Sequence, residues 1–385
     1  MSEDFFKIQD VTFKKWTDGI LQDSISVQSS PREYSVDFIE NSNNFKWLEE
    51  KIRSEKKPFI LVDQYVLESI LFNLNLDNIP TYKFLAVEDN KDIMTVLKVC
   101  DFLNHKQANR GSMIFVIGGG IIQDIGAFSA ALLKRGIPWV YIPTTLLSQG
   151  DSCLGGKTAV NHNKTKNLLG LFSAPRKVII DLAFSKTLSF EDRMSGGGEI
   201  FRLLITGGPK GFALLKQYID EFVNGSIDAT QKLVAASLQV KKRIVEYDEF
   251  ELDIRRSMNY GHSIGHAIEA LSEYKIPHGI GVAIGILVEN RIAFNRRLLS
   301  KEEEREMYQV GRKIIPEATW NIFASLNIKK ILPFLQSDKK VEGSTLKLAT
   351  LHAIGRMVFL DLPLNNQGMK EVKCAFDDVV NCHSK

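Results

Sequence analysis

Short apolar runs alternate with amphipathic stretches through the first half of the chain, and amphipathic stretches alone fill most of the second. Residues 59–63, 82–87, 113–117, 139–142 and 178–181 are runs of four to six residues rich in β-branched and aromatic side chains, each closed by Asp, Gly, Pro or a charge. They read as strands buried on both faces, as in a parallel sheet. Between them, residues 92–104 and 124–134 carry apolar positions at helical spacing, so the first half predicts the β-α-β alternation of an open α/β sheet. Residues before about 57 read as an extension with one strand near 33–38. Beyond about residue 185 the strand pattern stops. Helical periodicity marks residues 211–223, 228–246, 263–272, 279–295 and 301–313, and a terminal hairpin is expected from 346–352 and 357–361. The fold class is therefore α/β plus all-α, with an α/β domain over 1–185 and a mostly helical domain over 186–385. The boundary falls in 182–191.

A length of 385 residues suits two domains, and 44% hydrophobic with 25% charged residues is a globular composition. No apolar run approaches the roughly 18–20 residues of a membrane span. A net charge of +3 gives no global field for nucleic acid or an anionic membrane, so any anion site must be local. Cys100, Cys153, Cys374 and Cys382 form no CxxC pair, and the first residues lack a signal-peptide core. A cytoplasmic protein is expected. The glycines are more telling: 16 of the 27 lie between Gly111 and Gly211. Glycine is needed where the backbone turns sharply or is closely approached, so the skew predicts a site there.

Gly118-Gly-Gly-Ile-Ile-Gln-Asp124 follows a predicted strand and opens a helix, where bare amides suit a pyrophosphate; a plain turn would share that composition. Asp151-Ser-Cys-Leu-Gly-Gly-Lys157 and Lys164-Thr-Lys166-Asn167 place cations among small residues, as an anionic substrate or a solvated loop would. Three of seven histidines, His262, His266 and His278, fall within 17 residues. His262 and His266 share a helix face. With Glu199, which follows Gly196-Gly-Gly198, they are candidate ligands for a His/His/carboxylate zinc site with an open position; a structural histidine pair is the alternative.

Together, Gly118–Asp124, Arg135-Gly136, Pro143-Thr-Thr-Leu-Leu147, Asp151–Lys157, Lys166-Asn167, Glu199 and Asn259–Glu269 resemble the dehydroquinate synthase family of sugar phosphate cyclases. The resemblance runs from about Asp63 to Gly355. It implies a Rossmann-like NAD-binding domain and a helical metal-binding domain enclosing an active site, in a homodimer. Glu199, His262 and His278 would bind zinc, cobalt or another divalent ion. Asp63, Glu88, Lys91, Gly119, Gly120, Ile121, Asp124, Thr144, Thr145 and Thr187 would line the NAD site, with Asp151, Lys157 and Lys166 beside it. Asp151, Lys157, Lys166, Asn167, Lys241, Arg255, Asn259 and His266 would contact substrate, joined by Lys339 or Lys340. Arg135 would reach the neighbouring subunit's phosphate site. The implied substrate is 3-deoxy-arabino-heptulosonate 7-phosphate, whose two anionic ends call for several cations. One departure stands out. The family's Glu-x-x-Lys is here Glu199-Ile-Phe-Arg202. Arginine keeps the charge but changes reach and hydrogen-bond geometry, which leaves room for a sister cyclase acting on a heptulose or hexose phosphate. A metal-dependent polyol dehydrogenase and a catalytically idle relative are further alternatives.

Overall fold

The computed structural model describes residues 4–19, 23–30, 33–39, 44–163, 165–338 and 340–382. The chain divides into two compact units, Leu21–Leu188 and Met1–Ile20 with Ser189–Lys385. Residues 5–14 thus depart from the expected 1–185 domain, because they complete a sheet of the other unit.

That helical unit opens with β1 (Phe5–Ile8) and β2 (Val11–Lys14). β1 pairs parallel with a strand near the C-terminus, Lys7 opposite Arg356, and Trp16 is buried beside Gly207 and Gly211. The α/β unit holds a seven-stranded sheet of β3 (Ser24–Val27), β4 (Tyr34–Ile39), β5 (Pro58–Asp63), β6 (Thr81–Phe84), β7 (Met113–Gly118), β8 (Trp139–Pro143) and β11 (Lys177–Asp181). Its order is β3-β4-β11-β8-β7-β5-β6, parallel except for β3. The five expected strands are all there; β3, and α1 (Lys46–Arg53) within the presumed extension, were not foreseen. α2 (Ile93–His105) begins where Asp92 accepts the Thr95 N–H at 2.7 Å, and α3 (Gly120–Leu132) starts four residues earlier than periodicity suggested. The chain leaves β5 for β6 on one side and returns to place β7 on the other. The carboxyl ends of β5 and β7 therefore form a topological switch point, the usual ligand crevice of such sheets. A separate hairpin, β9 (Lys157–His162) with β10 (Thr165–Phe172), occupies the lysine-containing segment read as a loop; Lys164 lies outside the described residues.

The helical unit continues through α4 (Phe190–Thr206), α5 (Gly208–Val223), α6 (Ile227–Tyr247), α7 (His262–Leu271), α8 (His278–Asn295), α9 (Lys301–Ile314), α10 (Glu317–Ala324), α11 (Leu332–Gln336) and α12 (Asn366–Asn381). Ser189, Ser226 and Ser300 cap α4, α6 and α9 by accepting the N–H three residues on. The expected terminal hairpin is β13 (Thr345–Ala353) with β14 (Arg356–Pro363), extended by β12 (Val341–Glu342) and by β1 and β2. α8 is buried on nearly every side, which makes it the centre of the unit. Among the described residues no helix is long and apolar enough to cross a membrane.

Candidate metal centre and dinucleotide turn

Glycines bring the donor side chains of the helical unit together. A Cβ on Gly198 would lie 1.9 Å from the Gly279 carbonyl oxygen, and one on Gly279 would lie 1.7 Å from that of Ser195. α4 and α8 therefore meet backbone to backbone, fixed by the Gly279 N–H donating to Ser195 Oγ at 3.0 Å. Gly196–Gly198, the three glycines that lead to Glu199, lie inside α4. α7 and α8 use the same device: a Cβ on Gly265 would lie 2.8 Å from the Gly281 oxygen, and one on Gly285 2.0 Å from the Gly261 oxygen. These contacts place Glu199, the two α7 histidines and the first residue of α8 around one point.

Glu199 is 1% exposed. Its Oε1 stands 3.4 Å from His262 Nε2 and 3.2 Å from His278 Nε2, while Oε2 accepts from Arg202 Nε at 2.7 Å. The His266 ring lies 5.3 Å from that of His262 and 5.4 Å from that of His278, centroid to centroid. One ring nitrogen of each histidine falls within 4.8 Å of the others. Electrostatics follow from this crowding. Burial opposes ionisation of Glu199, yet the Arg202 guanidinium and the imidazoles hold it well below the usual carboxylate range. Burial also opposes the charge on His278, but hydrogen bonds to Glu199 and Glu269 outweigh it and raise the group to about 10. Desolvation within the ring cluster and the neighbouring imidazoles lower His266 from its ordinary range, although the side chain keeps an exposed face. Imidazole nitrogens converging on one carboxylate oxygen are the donor chemistry of a divalent transition-metal site, and these residues fit one.

Two side chains at the cluster carried no sequence-based role. Glu269 accepts from His278 Nδ1 at 3.0 Å, and Glu289, on α8, accepts the Gly261 N–H at 2.7 Å just ahead of His262. Glu269 sits three residues after His266, so helical spacing was an available signal; Glu289 offered none. Of the expected substrate contacts here, Lys340 makes an ion pair with Asp338 at 2.9 Å and its charge bears on His266. Lys241 and Arg255 are buried, the latter donating to the Glu249 carbonyl, and Asn259 donates to the Arg256 carbonyl. Lys339 lies outside the described residues.

In the α/β unit the glycine turn stands at the end of β7. Gly119 caps α3 and Gly120 opens it. A Cβ on Gly119 would strike Thr145 Cγ2 at 2.8 Å, whereas at Gly120 it would meet nothing within 4 Å. The helix N-terminus thus faces open space, as an anion site requires. Asp63 closes β5 at the same sheet edge, its carboxyl raised by burial despite accepting the Tyr65 N–H. Thr144 is buried, Ile121 is half-buried, and Thr145 bonds Ser148 at 2.6 Å. Other expected contacts are engaged with one another. Lys91 Nζ reaches Asp124 Oδ2 at 2.6 Å and Asn167 Oδ1 at 2.7 Å, while Glu88 accepts from Asn161 at 2.8 Å. These bonds tie the β9–β10 hairpin to the segment ahead of α2 and, through Lys91, to α3. Asp151 lies in the turn Ser148–Ser152, Thr187 donates to the Phe184 carbonyl, and Lys157, Lys166 and Arg135 are exposed.

A mostly parallel sheet with a glycine turn at its switch point, in one chain with a helical unit built on an imidazole–carboxylate cluster, defines a two-unit α/β–helical protein. The chain belongs to the 3-dehydroquinate synthase family: residues 81–195 match the model for 3-dehydroquinate synthase N-terminal and residues 196–341 that for 3-dehydroquinate synthase C-terminal. A 3-dehydroquinate synthase of Pelagibacter ubique is 32% identical over 346 residues, covering 87% of this chain and 94% of that protein. One of Streptococcus pneumoniae is 33% identical over 320 residues, covering 80% and 88%. Among solved structures, 2-deoxy-scyllo-inosose synthase complexed with carbaglucose-6-phosphate, NAD+ and Co2+ shares the fold with a TM-score of 0.78 at 22% identity, covering 92% and 99%. The 2-epi-5-epi-valiolone synthase of Streptomyces hygroscopicus, with NAD+ and Zn2+ bound, gives 0.76 at 22% identity, covering 93% and 99%.

Proposed function

We propose that the protein is a sugar phosphate cyclase of the 3-dehydroquinate synthase type, a carbon–oxygen lyase acting on 3-deoxy-arabino-heptulosonate 7-phosphate. Its reaction breaks the C–O bond to phosphate, forms a ring C–C bond and leaves no net NADH. The observation that carries this reading is the Glu199 Oε1 atom within 3.4 Å of Nε2 on both His262 and His278, in a chain a third identical to synthases along most of its length. When bound, zinc or cobalt supplies a Lewis acid for a substrate oxygen, and NAD supplies a reversible hydride acceptor.

Glu199, His262 and His278 hold the metal, and the amides of Gly119 and Gly120 take the NAD pyrophosphate. His266, beside both histidine ligands, orients the substrate hydroxyl by hydrogen bonding. Lys157 and Lys166 serve the phosphate end, and Arg255 with Lys241 the carboxylate. Arg135, exposed after α3, serves a partner subunit in a homodimer. The protein works in the cytoplasm. The test is phosphate release from the heptulosonate phosphate by metal- and NAD-loaded protein: release without accumulating NADH supports the reading, and NADH accumulation on a polyol replaces it with a dehydrogenase.

Arg202 favours a second reading, a sister cyclase for a heptulose or hexose phosphate. A panel of heptulosonate, sedoheptulose and glucose phosphates separates the two. Arg202→Lys is expected to raise turnover of the heptulosonate; a fall, with activity on another panel member, selects the sister cyclase.

A further inference from the structure

α7 and α8 run as a close-packed pair, and the side chain that joins their functional ends is Glu269. Its stem lies on Gly281, where a Cβ would stand 3.0 Å from Glu269 Cγ, so the glycine makes the room that the carboxylate occupies. From there Oε1 reaches His278 Nδ1 at 3.0 Å, while the opposite nitrogen of the same ring faces Glu199 Oε1 at 3.2 Å. A carboxylate only accepts, so the Nδ1 position carries a proton and Nε2 is the nitrogen left to exchange its own for a metal. Glu269 is 9% exposed, so its carboxylate is largely withdrawn from water.

We propose that Glu269 is a positioning residue that fixes the ring orientation and tautomer of His278 and so sets Nε2 as a metal donor. The inference rests on the metal-binding reading above. Glu199 needs no such guide, because Arg202 already takes its second oxygen. Outer partners of ligating histidines raise ligand basicity, and their loss weakens metal binding by about 10–100-fold.

The test uses full-length protein stripped of metal, with zinc affinity read by chelator competition, cobalt geometry by visible absorption, and fold by thermal unfolding of the metal-free form. Glu269→Leu is expected to lose about 10–100-fold in zinc affinity. Glu269→Gln keeps shape and an acceptor but not the charge, and is expected to lose about three- to tenfold, with an altered cobalt spectrum. Glu304→Gln, a buried carboxylate on α9 that pairs with Arg291 at 2.8 Å and has no contact with the cluster, should stay within about twofold. Wild-type zinc affinity and an unchanged cobalt spectrum in a folded Glu269→Gln protein overturn the proposal, and this variant decides the matter if the leucine variant does not fold. A wild-type protein that takes up neither zinc nor cobalt instead overturns the metal-binding reading itself.

Discussion

The donor cluster of the helical unit and the glycine turn of the α/β unit use the same residue for opposite ends. In the helical unit these glycines are filled spaces: at Gly198, Gly279 and Gly285 an added Cβ would land within 2.0 Å of a carbonyl oxygen on, or at the N-cap of, a neighbouring helix. In the turn, Gly120 borders emptiness. The first kind of glycine assembles side chains from three helices, and the second leaves backbone amides exposed to a ligand. Chemistry at the cluster therefore depends on long-range packing, while chemistry at the turn depends on a few consecutive residues after one strand.

The strongest blow to the cluster is removal of a ligand. His262→Ala is expected to lose bound metal and phosphate release together, each by more than the roughly 10–100-fold that follows loss of a mere outer partner. Metal analysis after gel filtration and a phosphate assay check it, and activity with unchanged metal content would reassign the ligand. Packing comes next. Gly198→Ala forces α4 and α8 apart and is expected to cost about 1–3 kcal/mol of stability, from overpacking against backbone that cannot rotate away. Because the same contact sets Glu199 opposite His278, zinc affinity should fall as well. Denaturant unfolding of the metal-free form separates these two effects.

This division also explains what could be read from the sequence. The buried strands and the turn at Gly118–Gly120 were legible because their signals are local: an apolar run, a break, then helical periodicity. So were His262 and His266, four apart on one helix. The meaning of Gly196–Gly198 was not, since nothing in a single sequence says that Gly279, about eighty residues later, lies against Gly198. For the same reason β1 and β2 were read with the wrong unit: their partner, β14, is some 350 residues away. Lys91, Asp124 and Asn167 were singled out through the family resemblance, but their mutual bonds arise only once the hairpin packs on α3.

Buried carboxylates sharpen the contrast through pH. Burial raises Glu289 to about 8, against the hydrogen bond from Gly261 and the charge of Lys340, with Asp338 adding to the rise. Between the unfolded carboxyl range, about 4.3, and about 8, the folded protein therefore binds the extra proton. Stability falls as pH rises through that window and stops falling above it. Glu289→Gln removes the group's contribution while keeping an oxygen to accept the Gly261 N–H. Unfolding of metal-free protein at pH 5 and pH 8.5 should show a difference between variant and wild type that grows at the higher pH, on the order of a few kcal/mol. A difference independent of pH would mean that Glu289 is ionised throughout.

The turn yields the smallest effect on folding and the cleanest test of the comparison. Gly120→Ala adds a methyl where nothing lies within 4 Å, at the first residue of α3, where alanine is a better helix former than glycine. Metal-free, cofactor-free stability is expected to change by no more than about 0.5 kcal/mol, with the sign toward stabilisation. The same methyl stands where a pyrophosphate would approach the amides, so NAD affinity, read by calorimetry or fluorescence quenching, should fall by at least about tenfold, a loss of about 1.4 kcal/mol. A variant that unfolds like Gly198→Ala would show that the turn is packed rather than open. One that folds and binds NAD normally would move the pyrophosphate away from Gly120.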